Sequence, residues 1–479
     1  MSLSERIITI ETRLQNDSEL VKYLNDAVTT YEFTKRKIWH EYTNPNYNNL
    51  YSKESEFTKH CRDTNNLHSR TINSIMHEVK GLLNAYKELK LTELSALKSK
   101  IESQENRVNK TIEQIKKLKP KVTINNAAEK ELHRYRRNKT KLYYQKNRLN
   151  RLKTKYNNLQ YKIDNNIYDI CFGTKQMFRK QYNLEVNHYR THKKWYNDFI
   201  KSRDKNVFFL GASNETMGNS MVQMHYDKNT NLFNLKLRKI EMNDKKRIAS
   251  NYISYSNLTF KNHKKELIEL LNNHELNNKK AKAISYRFHR EHNKWYIQII
   301  LTISFDNTSY KTRKEFGVIG LDYNDGFIQL AETDKFGNLV NLKKFDLKYH
   351  GCGNRAKTEI AQVINIIVKY AKSVGKDISM ENLDFKRTKS KQLKGQSNKG
   401  KSYNRMTHTF DYSRYKQKIQ DISFNNEVYV HLVNPKNTSK IGKQKYSDRM
   451  KLTIHQAAAY VIARRYQGFK DNLKQTKSK

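Results

Sequence analysis

Three side chains in the last third of this 479-residue chain have the types that phosphodiester chemistry needs. Asp322 closes the apolar run VIGLD, Glu381 closes the run ISME, and His455 is the second residue of the stretch IHQAAAYVIARR. Cutting a phosphodiester with two metal ions requires carboxylates that converge on one point. One ion prepares the attacking water and the other stabilises the leaving oxygen. Mg²⁺ suits that task because it takes hard oxygen donors and keeps several waters. If the strands ending in Asp322 and Glu381 lie side by side, both acids leave the same edge of a sheet. His455, in the first turn of the last helix, then stands where a third metal ligand is needed. Each residue also has a plainer reading. Asp322 precedes the turn signal Asp325-Gly326, Glu381 is unremarkable alone, and His455 suits a helix-start histidine held by backbone contacts.

The elements that must position these residues can be read from periodicity. Residues 318–322 form a buried strand and 327–332 a second, and the turn Asp334-Lys335-Phe336-Gly337-Asn338 leads into a third. A helix follows, with Ile360, Val363, Ile364, Ile367 and Ala371 on one face and Gly375 beyond its end. Residues 378–381 are a short strand, 410–422 a helix, 428–433 another strand, and 452–467 the closing helix. The order β-β-β-α-β-α-β-α, a meander before the crossovers, is that of a ribonuclease-H-like α/β domain. It puts the Asp322 and Glu381 strands next to each other. Among the other acids, Asp334 is explained by its turn and Glu332 is expected to face solvent. Asp384 lies near the same sheet edge, and Asp448 approaches the site only if its loop folds inward.

Upstream, the chain reads as two further units. Residues 6–14 alternate as a strand. Residues 16–204 are helical and polar, with two apolar stripes, 94–115 and 132–163, on either side of Pro120, which is expected to end the first helix. The pair makes an antiparallel helical hairpin. Strands recur from Val207 to Leu301, and the break Glu291-His292-Asn293-Lys294 suits a hairpin, so residues 205–315 read as a small β-barrel that the first strand, 1–15, can join. Lys plus Arg number 93 against 47 Asp plus Glu, a net charge of +46, which repels itself unless a polyanion neutralises it. No apolar run is long enough for a membrane span, and the charged amino terminus does not read as a signal peptide. Nucleic acid is the expected partner, with no membrane. The cysteines, Cys61, Cys171 and Cys352, are too dispersed for a zinc site or a disulfide framework and fit a reducing cytoplasm.

Six stretches in this order resemble one family: CFGTKQMFRKQYNLE, FFLGASNETMGN, GLDYNDGFIQLAETDKFGN, ISMENLDF, NPKNTSKIGKQKY and IHQAAAYVIARR. They are similar to the TnpB family of transposon-encoded RNA-guided nucleases, related to type V CRISPR effectors, and most of all to its TnpB-related accessory branch. The resemblance implies a multidomain α+β chain: a helical recognition lobe, a wedge-like barrel, and a RuvC-type nuclease domain over 316–479. Within that domain the basic linker 386–405 reads as a lid beside the site or as a disordered loop. It implies a guide RNA, a double-stranded DNA target beside a short protein-read motif, two Mg²⁺ ions, and a nucleoid-associated place in a prokaryotic-type cytoplasm. Asp322 carries over as the first acid and Glu381 as the second. Two departures stand out. The family's four-cysteine zinc insertion is absent from TSKIGKQKYSDRMKLT, and His455 replaces the usual third aspartate, a poorer Mg²⁺ ligand than carboxylate. A protonated His455 contacting phosphate or the leaving oxygen is the alternative role. The readings are therefore an RNA-guided DNA endonuclease, an RNA-guided DNA-binding regulator that has lost cleavage, or a transposase acting without RNA.

Overall fold

A computed structural model describes the chain except residues 1–3, 45, 47–50, 123–128, 242–250, 277–280, 306–309, 325, 349–353, 384–411, 472 and 474–479. Asp325, Cys352, Asp384 and the basic segment 386–405 thus lie outside the described residues. The chain is mixed α/β and divides into two compact units. One comprises residues 2–94 and 155–305, the other 95–154 and 306–479. Among the described residues no helix is long and apolar enough to cross a membrane.

In the first unit, β1 (Ser4–Arg13) zips antiparallel onto β7 (Lys294–Phe305), with Ile10 opposite Ile299. β7 turns back on β6 (Ile284–Glu291) through His292 and Asn293, both at positive φ, the conformation that a two-residue hairpin turn of the right twist requires. β2 (Asn206–Phe209) completes a sheet of order β1-β7-β6-β2. A second antiparallel sheet joins β3 (Val222–Asp227), β4 (Leu232–Arg238) and β5 (Tyr252–Leu258). Apolar residues of both sheets share one core with helices α1 (Glu19–Tyr42) and α2 (Glu54–Asn65) and the start of α3 (Ser69–Val122). β5 and the helix Lys264–Glu275 were not expected from the sequence. Residues 167–205 are less helical than expected: only Lys175–Arg179 and His192–Arg203 are α-helix.

The hairpin pairs α3 with α4 (Glu129–Asp164). Helix α3 runs two residues past Pro120 instead of stopping there. Only two residues follow Pro120, so the hydrogen bond it lacks and its clash with the preceding turn burden the last turn alone. The Gln104 amide donates to the Gln145 carbonyl at 3.1 Å, and Lys153 pairs with Glu105 at 2.8 Å, tying the two helices across their seam.

In the second unit a meander of β8 (Val318–Asn324), β9 (Phe327–Thr333) and β10 (Leu339–Asp346) leads through α5 (Asn354–Val374) to β11 (Asp377–Glu381). From there α6 (Tyr412–Asn425) leads to β12 (Val430–Val433), and α7 (Ile454–Gln467) follows. The sheet order is β10-β9-β8-β11-β12, with β11 parallel to both β8 and β12, the arrangement of a ribonuclease-H-like sheet. Strand parity sorts its side chains. Ile319, Leu321, Ile378 and Met380 share a core with α5 and α6, so Gly320, Asp322, Ser379 and Glu381 fall on the opposite face, where α7 lies. Glu332 shares the α5 face and is not solvent-facing as expected. It is buried because β9 lies inside the sheet under α5, and it accepts hydrogen bonds from Lys376 at 2.6 Å and Tyr370 at 2.5 Å.

Helix α7 approaches β8 at backbone distance. A Cβ on Gly320 would sit 2.1 Å from the Ala459 carbonyl oxygen and 2.7 Å from the Ala463 nitrogen. Ala459 and Ala463 keep that helix face small, and Ser379 donates to the Ile462 carbonyl at 3.2 Å. Gly320→Ala is therefore expected to destabilise the chain by about 1–3 kcal/mol, because backbone cannot yield as a side-chain tip would. Gly81→Ala, in open space on α3, should instead stabilise by about 0.5–1 kcal/mol. Urea unfolding of both variants checks the contrast.

Candidate functional site

The register of β8 and β11 sets the distance between the two acids. Leu321 is aligned with Met380 in the parallel pair, so the next residue of each strand, Asp322 and Glu381, stand as neighbours on the α7 face. The start of α7 is fixed by a capping box. Gln456 N–H donates to the Thr453 hydroxyl at 3.3 Å, and Thr453 N–H donates to the Gln456 side chain at 2.9 Å. That cap puts His455 in the first turn, over the strand end. Its Nδ1 lies 3.1 Å from Asp322 Oδ2, and its ring meets Phe327 edge-on at 5.1 Å. The three residues singled out in the sequence are thus drawn to one place, with Asp322 between the other two.

Their environments differ. The Asp322 side chain is 13% exposed and also accepts from Asn324 Nδ2 at 2.8 Å. The Asp322 hydrogen bond raises the His455 pKa, against a smaller opposing effect of burial, so the contact favours the imidazolium form of His455. Glu381 is the more confined acid. Burial, with the Asp322 charge added, pushes its carboxyl up to about 6, although the Thr438 hydroxyl and the Arg465 guanidinium pull the other way. Thr438 donates to Glu381 Oε1, and Tyr412 donates to the Glu381 backbone carbonyl. Arg465 is held by the carbonyls of Asn434 and Lys436.

Three of these supporting residues were missed in the sequence. Thr438 belongs to NPKNTSKIGKQKY, which had been matched as a stretch without a role for any member. It reaches Glu381 because its short helix, Thr438–Gly442, packs backbone-close on α7 at Gly442, whose Cβ would lie 2.8 Å from the Ala457 carbonyl carbon. Asn324 lies two residues past Asp322, where an amide could be expected to fold back. Tyr412 follows the undescribed segment and carries no local signal. Asp448 is exposed at the start of the short helix Asp448–Met450.

Two neighbouring, largely buried carboxylates are oxygen donors of the kind that a hard divalent cation takes. Side chains alone do not enclose a cation: among the described residues no group of three or more His, Cys, Asp or Glu is gathered tightly enough to hold a metal.

No protein-family model matches the chain, and no curated protein does. Solved structures similar to it include RuvC of T. thermophilus with a Holliday junction substrate, at 13% identity and a TM-score of 0.22. A Cas12f1–sgRNA–target DNA complex stands at 13% and 0.22, and a Cas12i1 R-loop complex after target DNA cleavage at 10% and 0.25. The matches cover 30%, 54% and 88% of this chain, and 88%, 66% and 57% of those chains, respectively.

Thr438→Val removes the hydroxyl that serves a buried carboxylate and should cost about 1–3 kcal/mol. Thr438→Ser, which keeps the donor, should cost much less. Equal losses in thermal or urea unfolding would mean that Thr438 matters for packing and not for Glu381.

Proposed function

We propose that this chain is an RNA-guided, metal-dependent DNA endonuclease of transposon origin, cutting at a RuvC-type site formed by Asp322, Glu381 and His455. The observation that carries the proposal is the pairing of Asp322 and Glu381 on adjacent parallel strands beneath the helix that carries His455 in its first turn. Asp322 and Glu381 would hold Mg²⁺, which when bound lowers the pKa of an attacking water and stabilises the leaving oxygen.

The chain's own residues do the rest. Asn324 and Thr438 each fix one carboxylate, so the two acids meet the cation without spending entropy on orientation. His455, carrying a proton that Asp322 stabilises, is a donor for a phosphate or leaving oxygen at the rim of the site. The surplus of cations serves an RNA and an RNA–DNA duplex, held chiefly by phosphates. In this reading the helical hairpin is a recognition lobe and the two small sheets a wedge-like barrel. Base pairing to a guide RNA, not the protein, reads the target.

A second reading has its own support. His455 already engages Asp322 Oδ2, and the described side chains alone close no metal cage. A binder that holds RNA and DNA without cutting would look the same at this site.

Copurification of the protein with its native RNA, followed by assay on matched DNA with Mg²⁺, separates the two. Cleavage is expected, is lost on chelation, and falls more than about a hundredfold in Asp322→Ala, since even outer-sphere partners of a metal cost 10–100-fold. DNA binding should survive that substitution. Tight binding with no cleavage by the wild-type chain would establish the binder. Full cleavage by His455→Ala would remove His455 from the mechanism, and absence of copurifying RNA would contradict RNA guidance.

A further inference from the structure

The stretch CFGTKQMFRKQYNLE has no task in the proposed cleavage, yet it builds one wall of a pocket of about 560 Å³ in the first unit. That volume lies within the range of small-molecule sites. Its walls combine rings and cations. Phe172 and Phe178 come from the stretch itself, and Phe199 comes from the helix His192–Arg203. Phe199 is held rigidly, stacked on Trp195 at 5.4 Å and 13°, while Trp195 Nε1 donates to the Met177 carbonyl at 2.9 Å. Phe178 meets Phe199 edge-on at 5.8 Å but remains 39% exposed. Gly173, at φ +92°, lets the chain turn against Phe199, where even a Cβ would lie 3.3 Å from the ring.

Four cations line this space: Arg36, Lys175, Arg179 and Arg203. Asp204 engages Arg36 at 2.7 Å, and Arg203 lies 5.6 Å over the Phe199 ring with its buried Nε lacking a hydrogen bond. The one acid in the lining, Asp169, is paired with Lys162. Lys175 and Arg179 are exposed and make no ion pair among the described residues.

An exposed ring backed by stacked aromatics and rimmed by uncommitted cations is complementary to a flat base joined to a phosphate. We propose that this pocket binds one unstacked nucleotide of a single-stranded nucleic acid, its base on Phe178 and its phosphate at Lys175 and Arg179. The inference rests on the nucleic-acid reading above but not on cleavage.

The test uses the full chain freed of nucleic acid by high salt, with fluorescent uridine-rich RNA and its deoxy counterpart as probes and uridine 5′-monophosphate and ribose 5-phosphate as competitors. Phe178→Ala changes no charge, so it should weaken single-strand binding about tenfold without altering the salt slope, and Phe178→Trp should restore it. Arg179→Ala should weaken binding and make the slope shallower. The nucleotide should compete better than the sugar phosphate. An effect on RNA alone, DNA alone or both identifies the source of the strand. Binding by Phe178→Ala within twofold of wild type for both strands would overturn the proposal, as would equal competition by ribose 5-phosphate. Asp322→Ala should bind these probes normally, so failure of the nuclease reading and failure of the pocket give different results.

Discussion

Helix α7 lies against β8 with no side chain between them at Gly320, and the candidate site depends on that contact. The helix start is set by the Thr453–Gln456 cap, and its distance from the sheet by Gly320 and the small face of α7. His455 can meet Asp322 only when both are satisfied. The same closeness on the other side of α7, at Gly442, brings Thr438 to Glu381. Small residues here do not fill a core. They fix a separation, and the polar groups at the helix start inherit it.

Electrostatics then gives the arrangement its chemistry. Asp322 has a charged partner in His455, whereas Glu381 is buried beside a like charge and is pushed up to about 6. Such a pair is costly for a fold to maintain without a cation, and sites of this kind tend to be functional. The buried Glu332 offers a contrast within the same sheet. Lys376 and Tyr370 satisfy it completely, so it needs no ligand. Glu332 is paired with a largely buried lysine, whereas Glu381 has only the Thr438 hydroxyl as a side-chain hydrogen-bond donor among the described residues.

The sequence made the sheet legible because its strands are apolar runs ended by recognisable turns, and its helices keep a 3.6-residue period. Parity along VIGLD and ISME then puts Asp322 and Glu381 on one face, which alternation alone can deliver. Contacts between elements distant in sequence were not legible. Nothing local says that Thr438 reaches Glu381, 57 residues away, or that Glu332 meets Lys376, 44 residues away. Such pairs depend on how closely helices pack, which a single strand or helix pattern does not encode. Pro120 marks the end of its helix to within two residues, because the bond it lacks and the clash it brings fall on the last turn.

The central claim is that Asp322 and Glu381 together form a divalent-cation site. Titration of the full chain with Mn²⁺, followed by electron paramagnetic resonance, tests it without requiring a guide, a target or catalysis. The account predicts saturable binding that weakens by at least about tenfold in Glu381→Gln. Equal Mn²⁺ affinity in wild type and Glu381→Gln would contradict it.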